Sequence, residues 1–217
     1  DSGFAVLRHG AAMAMLRYPR FRFRPSHADA LHLDLWLGHD NLLCDDGSYS
    51  YHAESKWLQY FGGTASHNTV QFDGRDQMPR LGRFLFGDWL RTAFLQPLEA
   101  NEHAVQFAAG YRDRAGASHR RQVTLSNSCL RVVDEVRGFK QKAVLRWRVP
   151  HKHWHLEGQR WTNGRHTLTV QTSVPATRCE MVEAWESRHY LEKTPVSVLE
   201  LEIQQPGTLT TEYRWAA

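Results

Sequence analysis

Hydrophobic residues recur at every second position along much of this chain, and any fold must accommodate that alternation. Ala143, Leu145, Trp147 and Val149 alternate with Lys142, Val144, Arg146 and Arg148. Leu31, Leu33, Leu35 and Leu37 are offset by His32, Asp34 and Trp36, and the pattern returns at Val123 and Leu125, Leu168 and Val170, and Leu199, Leu201 and Ile203. A period of two sends successive side chains to opposite faces of an extended strand. Turn chemistry separates the runs at Gly38-His39-Asp40-Asn41, Asp73-Gly74, Ser126-Asn127-Ser128, Thr162-Asn163-Gly164 and Gln205-Pro206-Gly207. Asn163-Gly164, between Trp161 and Leu168, has the composition of a tight hairpin. Only a short stretch from Glu54 to Tyr60 reads as helical. Many short strands with turns between them predict an all-β fold with little helix, a large antiparallel β-sandwich. No repeat, low-complexity tract or linker divides it, so residues 1–217 read as one domain.

At 217 residues the chain can bury a sizeable core, and no apolar run approaches the length of a bilayer span. The formal charge of +4 favours anionic partners. No Lys/Arg-rich block and no nucleic-acid-reading motif accompanies it, because Arg17 to Arg24 alternates with aromatics and prolines. An acidic polysaccharide would use the same surplus. Cys44, Cys129 and Cys179 lie far apart, form no CxxC and suggest neither a zinc knuckle nor a disulfide framework. Cys44, in an apolar run, reads as a small buried hydrophobe. The chain opens on Asp1 rather than Met, which reads as a piece of a longer product, so the lack of a leader says nothing about export.

Polar groups that bind metals or move protons concentrate between Pro25 and Asp76. His27, Asp45 and His67 are 18 and 22 residues apart (27 to 45, 45 to 67), too far for one helix but within reach of neighbouring strands. Two imidazoles and a carboxylate are a usual zinc shell. A chain with 13 His and 23 acidic residues also supplies such a trio by chance. Tyr49, Tyr51 and Tyr60 flank the block, and a phenol serves as acid or base or simply as a good strand residue. Asn68 follows His67 and suits either neutralising a substrate carboxylate or closing a turn. Arg75, Arg80, Arg83 and Lys56 are candidates for pairing carboxylates or sulfates. Trp36, Trp57 and Trp89 suit stacking on sugar rings or filling a core. His151, His153 and His155 share one face if that stretch is extended, and with no adjacent acid they read as a solvated edge.

His27-Ala28-Asp29-Ala30-Leu31, Asp45-Asp46-Gly47-Ser48-Tyr49-Ser50-Tyr51 and His67-Asn68-Thr69-Val70 followed by Asp73-Gly74 together resemble the heparinase II/III-like polysaccharide lyases, in their C-terminal β-sandwich region. Ser2-Gly3-Phe4 and Ser187-Arg188-His189-Tyr190 are weaker echoes. The resemblance implies a supersandwich-like fold and β-elimination on uronic-acid-containing polysaccharide. It also implies a structural or site-supporting zinc on His27, Asp45 and His67, with Asp46 the lesser ligand because Asp45 fills the first place of Asp-x-Gly. Lyases of this resemblance use tyrosine as acid or base, so Tyr51, with Asn68, is the catalytic candidate beside Arg75, Arg80 and Trp57 as substrate-binding candidates, and the resemblance implies a periplasmic or secreted location. Relatives of this kind place an N-terminal α/α toroid across the cleft, and this chain has no such helical region. One departure stands out: many members read His-x-His-x-Asp in the first block, and here Pro25 occupies the first place, with no proton to exchange. A noncatalytic carbohydrate-binding or interaction module of the same fold is the alternative.

Overall fold

The computed structural model describes residues 3–83, 85–150 and 152–216. The chain begins with a meander of β1 (Phe4–His9), β2 (Ala12–Arg17), β3 (Leu33–Leu37) and β4 (Asp40–Leu43). A helix α1 (Ser55–Gly62) and a 3-10 turn (Thr64–Ser66) lead into β5 (Val70–Phe72). Next come the short pair β6 (Arg80–Gly82) and β7 (Leu85–Phe86), then β8 (Thr92–Ala100), β9 (Val105–Arg112), β10 (Ser118–Leu125) and β11 (Cys129–Arg137). The remainder is β12 (Ala143–Val149), β13 (His155–Glu157), β14 (Arg160–Thr162), β15 (His166–Thr172), β16 (Ala176–Glu186), β17 (Thr194–Ile203) and β18 (Gly207–Trp215).

Every named strand pair is antiparallel. One layer is an eight-stranded sheet in the order β13-β14-β15-β18-β11-β10-β9-β8. Facing it are two four-stranded sheets, β1-β2-β3-β4 and β16-β17-β12-β5. These two meet where the Cys44 N–H, just past β4, donates to the Arg148 carbonyl of β12 at 3.1 Å. The alternation read from the sequence explains the core. Ala12, Ala14 and Leu16 of β2, Val123 and Leu125 of β10, and Leu145, Trp147 and Val149 of β12 turn inward and are buried. Each fully buried leucine contributes on the order of 2 kcal/mol through removal of apolar surface from water.

The expected hairpin forms: β14 turns into β15 through Asn163-Gly164-Arg165, with Thr162 opposite Thr167. Asn163 Oδ1 accepts the N–H groups of Arg165 and His166 at 3.1 and 2.9 Å. The helical stretch expected from Glu54 is α1, with Glu54 at its N-cap. Two local expectations shift. The strand expected from Leu31 begins at Leu33, because Leu31 takes a left-handed φ of 62° and its carbonyl is held from the opposite sheet by Arg121. The His153 φ of 66° breaks the extended backbone there and β13 begins only at His155, so His153 and His155 do not share one strand face. His153 and His155 are exposed, and His151 lies outside the described residues. Ser2, in one of the weaker echoes, lies outside them too. Among the described residues no helix is long and apolar enough to cross a membrane.

Candidate metal centre and cleft

Three segments converge where the two four-stranded sheets meet: the loop before β3, the loop after β4 and the turn before β5. The first carries His27, Asp29 and His32, the second Asp45 and Asp46, the third His67. Each segment is fixed by backbone chemistry. Asp45-Asp46-Gly47 is tied to the loop after β16 by the Ser187 N–H, which donates to the Asp46 carbonyl at 2.7 Å. Gly47 has a φ of 79°, and a Cβ there would stand 2.0 Å from the Ser187 carbonyl oxygen, so this approach requires glycine. His67 is held by Asn68 beside it. The Asn68 side-chain amide donates to the Leu33 and Cys44 carbonyls at 2.9 and 3.0 Å, and its oxygen accepts the Arg148 N–H at 2.7 Å.

Of the predicted ligands, His27 and Asp45 each stand beside His67, but His27 groups with Asp29 and His67, and Asp45 with His32 and His67. The rings of His27 and His67 are 5.3 Å apart, and His67 Nδ1 donates to Asp45 Oδ1 at 2.9 Å. Two further donors, Asp29 and His32, join them. One ligand atom each from His27, Asp29 and His67 lie within 4.8 Å of one another, and so do those of His32, Asp45 and His67. The two groups are chemically unlike. His32 Nδ1 accepts the Asn68 N–H at 3.0 Å, which places the ring proton on Nε2, facing Asp34 and Asp45 at 3.5 and 3.8 Å. His32 Nε2 is therefore turned toward two carboxylates without forming a hydrogen bond to either. His32 Nε2, His67 Nε2 and Asp29 Oδ1 are all buried with no hydrogen-bond partner, while the other Asp29 oxygen pairs with Arg17.

The electrostatics suit a bound cation. Burial, and next the adjoining His67 ring, push His27 down to about 4, and burial likewise lowers His67. Both imidazoles are thus neutral, the form that binds metal. Against its own burial, Asp45 is held well below the usual carboxylate range by His32 and His67. Asp46 goes the other way: full burial and the charge of Asp45 raise it well above that range. A neutral imidazole nitrogen and a carboxylate oxygen, both buried and unpartnered, with a second imidazole and a second carboxylate alongside, fit a zinc ion.

Beside the cluster lies a cavity of about 80 Å³ lined by Ser26, His27, Ser48, Ser50, Tyr51, Leu58, Phe61, Gly62, Arg80 and Arg83. Tyr51 stands at its rim, 60 % exposed, with Arg83 Nη1 donating to its carbonyl at 3.2 Å. Arg80 packs its guanidinium 4.4 Å from the centre of the Phe86 ring and donates through Nη1 to the Arg83 carbonyl at 3.3 Å. Tyr190 comes from the far end of the chain: Ser50 Oγ donates to its hydroxyl at 3.1 Å, and its ring lies 6.2 Å from that of Tyr51.

The other predicted residues stand apart from this cavity. Asn68 is wholly buried and every polar atom of its side chain is bonded to backbone, so the structure gives it a framework role. Arg75 is engaged by the buried carboxylate of Asp113 at 2.6 Å and faces a separate groove. Trp57 belongs to an aromatic cluster with Tyr49, Tyr60, Phe61 and Trp185, and Lys193 Nζ sits 3.4 Å above its ring centre. Pro25, where a histidine was expected, is buried. Sequence reasoning passed over Asp29, although it stands two residues from His27 in a quoted motif, and it missed His32 because its tie to the Asn68 backbone leaves no sequence signal. Tyr190 was quoted only as part of a motif.

The family model described as heparinase II/III-like, C-terminal, matches residues 1–215. No curated protein sequence matches. Among solved structures, the heparinase III BT4657 gene product superposes with a TM-score of 0.81 at 20 % identity, covering 100 % of this chain and 35 % of that one. The heparan sulfate lyase HepC from Pedobacter heparinus gives a TM-score of 0.79 at 15 % identity, covering 100 % of this chain and 36 % of that one. A structure titled heparinase III gives 0.76 at 14 % identity, with the same 100 % and 36 % coverage. At these identities the superpositions establish a shared fold, and this chain spans about a third of the length of those proteins.

Proposed function

The chain belongs to the heparinase II/III-like C-terminal family, and from that premise we propose that it is the sandwich portion of a polysaccharide lyase acting outside the cytoplasm on acidic, uronate-containing chains. The observation carrying this reading is the cluster of His27, Asp45 and His67, whose His27 lines a cavity rimmed by Tyr51 and two arginines. Eliminative cleavage removes the proton α to a uronate carboxylate and expels the 4-linked oxygen. It needs a cation or donor for the carboxylate, a base for the proton and an acid for the leaving oxygen. Tyr51 is the exposed proton-transfer group on this wall, and Arg80 and Arg83 are the cationic ones. Zinc would be held by His27 and His67 with Asp45 or Asp29, Asp29 grouping with both imidazoles and Asp45 with His67 and His32, and when bound it supplies fixed positive charge. The chain's own residues do the rest: Asp45 orients the His67 ring, and His32 faces Asp45.

About one zinc per chain is expected in protein purified without a polyhistidine tag. It raises the thermal midpoint by mass action. His67→Ala is expected to abolish bound metal, and unchanged metal content in that variant would overturn the assignment. Loss of metal on His153→Ala would move the site elsewhere. For activity, the assay is the near-ultraviolet absorbance of the unsaturated uronate end released from heparan, chondroitin, hyaluronan and alginate-type polymers by the intact polypeptide. No absorbance rise on any of them overturns the lyase reading. The second reading, a noncatalytic glycan-binding module, is favoured by one observation: Pro25 fills the place of a proton-carrying histidine.

A further inference from the structure

The outer face of the eight-stranded sheet carries a basic groove remote from the cavity. The register places Arg112 of β9, Ser118 of β10 and Arg137 of β11 in one cross-strand row. The next row is Phe94 of β8, Gly110, Arg120 and Glu135. Adjacent strands lie about 4.8 Å apart, so Arg112 and Arg137 are rooted about 10 Å from each other. Two small residues, Ser118 and Gly110, lie between these side chains. A cavity of about 310 Å³ results, with all three arginines in its lining. Arg120 is laid flat on Phe94, its guanidinium carbon 3.8 Å from the ring centre.

The charge on this face is not internally balanced. Glu135 is the acid in that lining, and it lies 3.9 Å from both Arg120 and Arg137. Among the described residues Arg112 makes no ion pair. Strand alternation separates this face from the metal cluster: Arg120 points out, while its neighbour Arg121 points in and bonds the Leu31 and Asn68 carbonyls at 2.6 Å. We propose that the Arg112–Arg120–Arg137 groove is a second glycan-binding surface, which holds a sulfated or carboxylated stretch of polysaccharide away from the cavity. Guanidinium forks match both carboxylate and sulfate, and the Arg120–Phe94 stack fixes one fork in place. The choice of an acidic glycan over other polyanions rests on the function proposed above.

The test titrates the intact protein with heparin, hyaluronan and duplex DNA over a range of salt concentrations. Arg112→Gln/Arg120→Gln/Arg137→Gln is compared with Arg8→Gln/Lys152→Gln/Arg165→Gln, which removes the same charge from exposed positions elsewhere. The groove variant is expected to bind heparin at least about tenfold more weakly, with a shallower salt dependence by about two to three ions, and the control to stay near wild type. Arg112→Glu alone, at an exposed position, is expected to move binding the same way if the triple variant folds poorly. Stronger retention of heparin than of hyaluronan assigns the groove to sulfate, and equal retention assigns it to carboxylate. Equal losses in both triple variants, unchanged affinity in the groove variant, or DNA bound as tightly as heparin would overturn the proposal. His67→Ala keeps this binding if the groove acts alone, so a failed metal or cleavage assay remains a separate result.

Discussion

The side chain of Asn68 joins three backbone segments that are far apart in sequence: the start of β3 at Leu33, the end of the meander at Cys44, and β12 at Arg148. Its own N–H goes to His32 and its carbonyl accepts Arg121, so this one residue fixes the spacing of the metal cluster from several directions. Replacing it with alanine leaves two carbonyls and one N–H buried and unpaired. Each costs about 1–3 kcal/mol, so Asn68→Ala is expected to lose about 3 kcal/mol or more in urea unfolding. A residue that only met substrate would lose rate and keep its stability, so a stable, slow Asn68→Ala protein would contradict the framework role. The contrast also shows what was legible. That His27 and Asp45 would stand near His67 was readable because a family pattern marks them, whereas adjacency to His67 said nothing about which way Asn68 faces. Asp29 escaped because an acid two residues from a histidine is common, and only its buried, unpartnered oxygen sets it apart.

At the level of elements, a buried ion pair links the eight-stranded sheet to the site. Arg121 of β10 meets Asp134 of β11 through Nε and Nη2 at 2.6 and 3.0 Å, and His119 Nε2 donates to the same carboxylate at 2.6 Å. Trp147 of β12 covers the guanidinium at 4.8 Å. Though burial opposes it, Arg121 and then His119 hold Asp134 down to about 2. An unfolded aspartate titrates near 4, so the pair stabilises the fold above about pH 4. That contribution, on the order of 2 kcal/mol, is lost as pH falls from there through about 2. Arg121→Met alone takes the charged partner from a buried carboxylate that His119 still contacts and is expected to cost about 3–5 kcal/mol. Arg121→Met/Asp134→Leu removes the buried charge but leaves the Leu31 and Asn68 carbonyls and His119 Nε2 unpartnered, so it is expected to recover only part of that loss at pH 7. The double variant should also show a flatter stability profile between pH 4 and pH 2, and a profile parallel to wild type would refute the assignment. Hydrophobic alternation revealed β12, and the Asn163-Gly164 turn the β14–β15 hairpin, in advance. Alternation could not reveal a charged cross-strand pair inside the core, because Arg121 and Asp134 occupy inward positions that the pattern reserves for apolar side chains.

For the whole molecule, the argument turns on how little of a cleft one sandwich wall provides. The cavity beside His27 holds about 80 Å³, far less than a saccharide unit needs, and it offers one exposed phenol with two arginines. Structures sharing the fold are about three times longer than this chain, which covers 35 % of the BT4657 heparinase III. A β-eliminating site needs the carboxylate partner, the base and the acid together around one sugar. Removing a single preorganised group commonly lowers the rate about a hundredfold or more, and groups that act as a unit fail together. The 217 residues expressed alone are therefore expected to fold, bind zinc and hold acidic glycan, yet release no unsaturated uronate. The polypeptide carrying the opposite wall is expected to release it steadily. In that longer protein Tyr51→Phe should slow cleavage about a hundredfold or more while leaving metal content unchanged, because the phenol stands at the rim of the cavity and not among the ligands. Vigorous cleavage by the isolated 217 residues would show that this wall is a complete site. A Tyr51→Phe protein as fast as wild type would move the proton-transfer role to another group on the rim, with Tyr190, 57 % exposed and hydrogen-bonded to Ser50, the next to test.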